Sequence, residues 1–173
     1  MRIELGSLEG SDGKFAQEYQ PGELEIGDRV DLPGPLSVTG RVSRSNRKVV
    51  VTGSFTTQVQ VECDRCLQPV ELPVKSDFRV ELITPEVYEN AATAELVDTD
   101  LELSVFDGEA VDIDELVREQ LLLALPLRIL CQESCKGLCP VCGSDRNGAD
   151  CQCETAEIDP RWGALREFAD GKL

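Results

Sequence analysis

The stretch VVVTGSFTTQVQV, residues 49 to 61, alternates with a period of two. Val49, Val51, Gly53, Phe55, Thr57, Val59 and Val61 fall on one side; Thr52, Ser54, Thr56, Gln58, Gln60 and Glu62 fall on the other. Successive side chains of a strand point to opposite faces, so this pattern predicts a long strand with one buried face. The stretch VELPVKSDFRVELI alternates likewise, with Val70, Leu72, Val74, Phe78, Val80 and Leu82 on the apolar side. Only CDRCLQP separates the two, which predicts an antiparallel pair with its cysteines at or near the turn. Leu36 to Val42, joined through SRSNRK, reads as a third strand. The first 35 residues show little periodicity and read as an irregular lead-in with one short strand.

Beyond the sheet the pattern changes. Residues 86 to 117 hold eleven acidic side chains and no basic one, the mark of a solvated segment. Within it the apolar pairs Leu103/Val105 and Val111/Ile113 flank FDGEA, whose Asp-Gly suggests a tight hairpin turn. DIDELVREQLLLALP then takes up the helical period through Ile113, Leu116, Val117, Leu121 and Ala124. Asp112 is its expected cap, Glu115 follows three residues later, and Pro126 ends it. Leu122, Leu123 and Leu125 add apolar bulk on other faces, which suggests a helix buried against the sheet. EIDPRWGALREF reads as a short terminal helix, capped by Asp159, with Trp162 packing it.

These elements give an α+β fold: an antiparallel sheet with a packed helix, followed by a small cysteine-rich, zinc-ribbon-like module. The expected division is 1–126 for the sheet domain and 127–173 for the module. Aromatic residues make up only 5% of the chain, so Val, Leu and Ile must form most of the core.

Net charge is −16, with 33 acidic residues against 17 basic ones. Binding to nucleic acid at large rests on cations that neutralise phosphates, so a chain this acidic should coat neither RNA nor an anionic membrane. It suits solubility, or a partner that is itself basic. No apolar run approaches the length of a membrane span, and the start lacks a secretory pattern. A cytoplasmic location is expected, where thiols stay reduced and clustered cysteines usually mean metal or catalysis rather than structural disulfides.

The cysteines carry the chemistry. Six lie between 131 and 153, and two more form the CxxC of Cys63 and Cys66. In CPVCG, Cys139 and Cys142 can both reach one ion from a tight turn, and Gly143 lets the backbone fold around the sulfurs. Cys151 returns toward them after the Asn147-Gly148 turn. Cys151 and Cys153 would face opposite ways if extended, and share an ion only if that segment curls. Cys131 and Cys135 would share a face if 127–135 were helical. The fourth ligand beside Cys139, Cys142 and one of Cys151 or Cys153 is therefore Cys135 or the other of that pair. With no histidine in the chain, a closed site must be all-thiolate, which argues for a structural zinc ion. Cys63 and Cys66 allow three accounts: a second site with Cys131 and the leftover C-terminal thiol, a two-knuckle site with Cys139 and Cys142, or a redox-active pair.

No other catalytic constellation exists in the sequence, and no histidine can serve as a general base, so an enzyme and a small-molecule substrate are not expected. One local feature opposes the global charge. GRVSRSNRK carries Arg41, Arg44, Arg47 and Lys48 without an acid, a candidate phosphate-contacting loop or a solvated hairpin tip.

In order, the chain contains VECDRCLQPV, an acidic middle, a proline-ended helix, CKGLCPVCGSDRNGADCQC and IDPRWGAL. This arrangement, from about Val38 to Leu165, resembles the bacterial YceD family. The chain departs from the family at Arg146, where a leucine is more usual. The resemblance implies a role in the accumulation, processing or stabilisation of large-subunit ribosomal RNA, or in assembly of that subunit, and implies no catalytic activity. Precursor ribosomal RNA or a basic large-subunit ribosomal protein are then the expected partners. A thiol–disulfide oxidoreductase and a zinc adaptor without RNA contact are the alternatives.

Overall fold

The computed structural model describes residues 1–7, 11–45, 48–91, 103–148, 151–153 and 161. Its backbone sorts into two compact units, residues 1–62 with 69–129, and residues 63–68 with 130–173. The tip holding Cys63 and Cys66 thus groups with the C-terminal segment, and the division falls after residue 129 rather than at 126.

The first unit is built on β4 (Leu36–Arg44), β5 (Val49–Glu62) and β6 (Pro69–Ile83), each antiparallel to the next. The β5–β6 ladder runs unbroken from Val49↔Leu82 to Glu62↔Pro69, which brings Cys63 to the tip. The alternation decides which face is dry. Val49, Val51, Phe55, Val59 and Val61 are buried, and so is Thr57, whose hydroxyl donates to the Pro35 carbonyl at 3.3 Å. Val74, Phe78 and Leu82 of β6 complete that face, where the rings of Phe55 and Phe78 lie 6.2 Å apart.

The lead-in is more ordered than its pattern suggests. β1 (Arg2–Glu4), β2 (Asp12–Tyr19) and β3 (Val30–Asp31) all lie within it. β2 pairs with β4 over eight residues and exposes six of its eight side chains wholly or partly, so its sequence DGKFAQEY carries only Phe15 and Tyr19 as buried signals. Phe15 sits opposite Gly40, Gly40 opposite Gly53, and Gly53 opposite Phe78. The two rings occupy the space the glycines leave: a Cβ on Gly40 would lie 2.5 Å from the Phe15 ring, and one on Gly53 2.6 Å from that of Phe78. Here glycine is required by close approach across strands.

The acidic segment also holds more structure than a solvated linker. α1 (Pro85–Ala91) follows β6, and β7 (Leu103–Val105) then pairs parallel with β6. β8 (Ala110–Asp112) pairs antiparallel with β1. FDGEA therefore does not close a hairpin, since the strands on either side of it belong to different sheets. The Asp107 carboxylate accepts from the backbone N–H of Glu109 at 2.9 Å and of Ala110 at 3.3 Å, and Gly108 takes φ +85°. A local Asx turn satisfies the same Asp-Gly signal that a hairpin would.

α2 (Ile113–Ala124) starts as its sequence demands, with the Asp112 carboxylate accepting from the N–H of Asp114 and Glu115. Ile113, Leu116, Val117 and Leu121 join the core cluster with the dry face of the sheet. Leu122 and Leu123 do not: they are exposed, Leu123 at 76%. One stripe of α2 is buried, Leu125 packs partly against the core, and Leu122 and Leu123 face water. The terminal helix and the environment of Trp162 lie outside the described residues, apart from Arg161.

Candidate metal centres

The second unit gathers all eight cysteines, and every one is a free thiol. They sort into two groups of four, Cys63/Cys66/Cys131/Cys135 and Cys139/Cys142/Cys151/Cys153, the sulfurs of each lying within 4.8 Å of one another. Cys135 belongs with Cys131 and not with Cys139, and Cys151 and Cys153 stay together. The two CxxC pairs occupy different groups.

Each group is organised by a backbone knuckle, and the two knuckles repeat each other bond for bond. The Cys63 N–H donates to the Gln68 carbonyl at 2.8 Å, and the Leu67 N–H to the Cys63 carbonyl at 2.9 Å. Likewise the Cys139 N–H donates to the Ser144 carbonyl at 2.9 Å, and the Gly143 N–H to the Cys139 carbonyl at 2.9 Å. Both loops need a left-handed residue one past the second cysteine. Gly143 supplies it at φ +73°, but the first knuckle uses Leu67 at φ +60°. Gly143 signalled its knuckle in the sequence, whereas nothing about a leucine marks this conformation.

Residues 127–135 are not helical; Cys131 and Cys135 reach the first knuckle through bends and a turn. Three residues that sequence reasoning missed hold them there. Gly137, at φ +72°, passes so close to the first knuckle that a Cβ would lie 2.9 Å from the Arg65 carbonyl, which accepts from the Leu138 N–H at 3.0 Å. The Arg65 guanidinium donates to the Cys135 carbonyl. Asn147, expected only as a turn residue, accepts the Lys136 N–H at 2.8 Å and donates its amide to the Cys135 sulfur at 3.3 Å. Sequence signals existed for Gly137 and Asn147, in KGLC and NG, but neither showed what it would touch.

The first group contains sulfur pairs at 3.9 Å (Cys63 and Cys135) and 3.6 Å (Cys66 and Cys131). Tetrahedral zinc with Zn–S bonds of ~2.3 Å places its sulfurs ~3.8 Å apart. The donor set therefore fits a zinc ion. In the second group the Val141 N–H donates to the Cys139 sulfur at 3.4 Å, and the Ser144 hydroxyl lies 3.0 Å from the Cys142 sulfur.

Proton affinities tell the same story. Burial pushes the Cys63 thiol up, but N–H groups of Arg65, Cys131 and Cys66 outweigh it and hold the thiol at about 6. Cys135 is lowered too: burial raises it, and the Asn147 amide and Gly137 N–H more than offset this. Partial desolvation of its sulfur, together with the thiols of Cys66, Cys135 and Cys63, pushes Cys131 up to about 12. The Gln68 N–H favours the Cys66 thiolate, but burial and the thiols of Cys63 and Cys135 outweigh it and raise Cys66. In the second group the Ser144 hydroxyl and N–H hold Cys142 at about 6, Cys139 helps lower Cys151, and the neighbouring Cys142 pushes Cys153 up to about 12. Thiolates this close cannot all form alone, and a dication removes the conflict.

A disulfide exchange role fits less well. Cys63 and Cys66 are buried, at 0% and 3% exposure, and each sulfur faces one from another segment. A reactive CxxC needs an accessible thiol.

The basic loop is partly neutralised. The Arg41 guanidinium lies 3.9 Å from the Asp12 carboxylate, and Lys48 donates to Glu81 at 2.6 Å. Hydrogen bonds from Lys48 and Arg79 hold Glu81 below the usual carboxylate range. Arg44 is exposed, and Arg47 lies outside the described residues.

An α+β protein with a sheet unit and paired all-cysteine centres is thus defined. The chain belongs to the YceD family: residues 51–169 match the model of the family described as "Large ribosomal RNA subunit accumulation protein YceD". It is 32% identical over 139 residues to the uncharacterized protein Rv2926c of Mycobacterium tuberculosis, covering 80% of this chain and 64% of that protein. It is 27% identical over 157 residues to the uncharacterized protein YlbN of Bacillus subtilis, covering 90% and 87%. A chloroplastic large ribosomal RNA subunit accumulation protein YCED homolog 1 of Arabidopsis thaliana is 26% identical over 189 residues, covering 95% and 58%. The chain spans 64% of the length of the mycobacterial relative. No solved structure matches it. Among the described residues no helix is long and apolar enough to cross a membrane.

Proposed function

We propose that this protein is a cytoplasmic, non-enzymatic factor that supports accumulation of large-subunit ribosomal RNA, with zinc held by its cysteine groups in a zinc-ribbon-like module. The observation that carries the reading is the combination of YceD membership with eight thiols gathered into two closed four-sulfur groups. Four thiolates around one ion leave no open position for substrate, which is the chemistry of a structural site. The absence of histidine removes the usual general base.

The partner is a large-subunit precursor, engaged through a basic ribosomal protein, through its RNA, or both. A net charge of −16 favours the protein route. With Arg41 and Lys48 paired to acids, Arg44 is the described cation of that loop to test against phosphate, together with Arg47, which lies outside the described residues. Tagged protein recovered from cells at low salt should enrich large-subunit precursors; recovery without any ribosomal component overturns the reading. Reversing Arg44 and Arg47 to Glu weakens recovery if the loop touches RNA and leaves it unchanged if the protein is an adaptor alone.

A further inference from the structure

We infer that the two cysteine groups hold two ions of unequal permanence: Cys63/Cys66/Cys131/Cys135 a fixed structural ion, Cys139/Cys142/Cys151/Cys153 an exchangeable one. The inference rests on the zinc loading proposed above and adds a division of labour to it.

The first observation is access. A chelator or acceptor protein takes a zinc ion by displacing thiolates one at a time, each departing sulfur taking up a proton, with no change of oxidation state. The incoming donor must reach a sulfur. In the first group Cys63, Cys66 and Cys135 are buried and only Cys131 is exposed. In the second only Cys139 is buried; Cys142 is exposed and Cys151 and Cys153 are partly so.

The second observation is connectivity. The first group joins two segments that are 65 residues apart between Cys66 and Cys131. Its ligands come in two pairs from segments that meet only in the folded protein, so the departure of one sulfur leaves the ion held from both segments. The second group draws all its ligands from residues 139–153. Opening it frees a short segment only, so the fold resists its opening less.

The third is support from outside the sulfurs. The first group has the Arg65 guanidinium on the Cys135 carbonyl and the Asn147 amide on the Cys135 sulfur; the Arg65 carbonyl also accepts from the Leu138 N–H, and the Asn147 side chain from the Lys136 N–H. At the exposed Cys142 the contacts are the Ser144 hydroxyl and N–H, two residues away on the same loop.

The test uses the full chain purified without chelators. Elemental analysis should find two zinc ions per chain. Challenge with a chromophoric chelator, 4-(2-pyridylazo)resorcinol, should release them in two phases differing by about tenfold or more, the scale on which hydrogen bonds to ligands alter metal sites. Cys142→Ser should abolish the fast phase and keep the slow one. Cadmium substitution gives a second readout: two cadmium-113 resonances in the all-thiolate range, one of which the chelator removes first and Cys142→Ser deletes. Two ions leaving at one rate, or a Cys142→Ser protein that loses the slow phase, overturn the inference while leaving zinc loading intact. A protein carrying no ion overturns the zinc loading itself.

Discussion

At the scale of single residues, Leu67 bears a conformation that its counterpart Gly143 adopts freely. A left-handed residue with a Cβ costs ~1–2 kcal/mol. Leu67 is 55% exposed, so its side chain returns little core energy. Leu67→Gly should therefore stabilise the metal-loaded protein by about 0.5–1 kcal/mol, after the extra freedom of glycine in the unfolded chain is subtracted. A lower denaturation midpoint would show that the leucine side chain makes a contact worth more than the strain. Tyr19 offers a second case. Its hydroxyl donates to the Asp114 carboxylate, and burial together with that bond pushes the phenol well above the usual tyrosine range. Burial raises Asp114 too, but the Met1 ammonium and the Tyr19 hydroxyl hold it below its ordinary value. A raised tyrosine contributes stability that is complete below ~10 and is lost as pH climbs through the folded value; a lowered aspartate contributes above ~4 and is lost as pH falls. Tyr19→Phe should cost about 1 kcal/mol between these limits, and the deficit should shrink above pH ~10. Denaturant titrations across that range check both statements.

Elements show where a local pattern suffices and where it does not. α2 was legible from end to end because cap, period and stop agree, and Asp112→Ala should cost ~1 kcal/mol by removing the two cap bonds, measured by chemical denaturation. The β5–β6 hairpin was equally legible, since strict alternation over long strands admits one register. β2 was not, because an edge strand with two buried residues among eight looks like loop until β4 is placed beside it. FDGEA carried a true turn signal with the wrong consequence: Asp-Gly specifies a local bend, and only the pairing of β7 with β6 and β8 with β1 decides where the chain goes afterwards. Leu122 and Leu123 added apolar bulk that suggested a buried helix, yet a helix against one sheet buries one stripe and leaves these two exposed.

For the whole molecule, each unit has its own source of stability. The first has an apolar core spanning β2, β4, β5, β6 and α2. The second buries few large apolar side chains among its described residues, and its bonds converge on sulfur. Complete removal of the proposed metal should therefore unfold the second unit and leave the first folded. Thiol titration should then find all eight cysteines reactive, while far-ultraviolet circular dichroism keeps its strand signal and heating still gives a cooperative transition. Loss of both together would show that the metal sites hold the sheet as well.

The sequence by itself determined the sheet's central strands, the capped helix, the all-thiolate character of any metal site and the knuckle at Cys139. These depend on neighbours along the chain, through side-chain period, capping distance and donor type. Tertiary structure alone decided how eight sulfurs divide. Cys63 and Cys66 meet Cys131 and Cys135 where Gly137 lets the two backbones approach, a juxtaposition no spacing encodes. Sulfur chemistry is written locally, but the partner of each sulfur is fixed by contacts across distant segments.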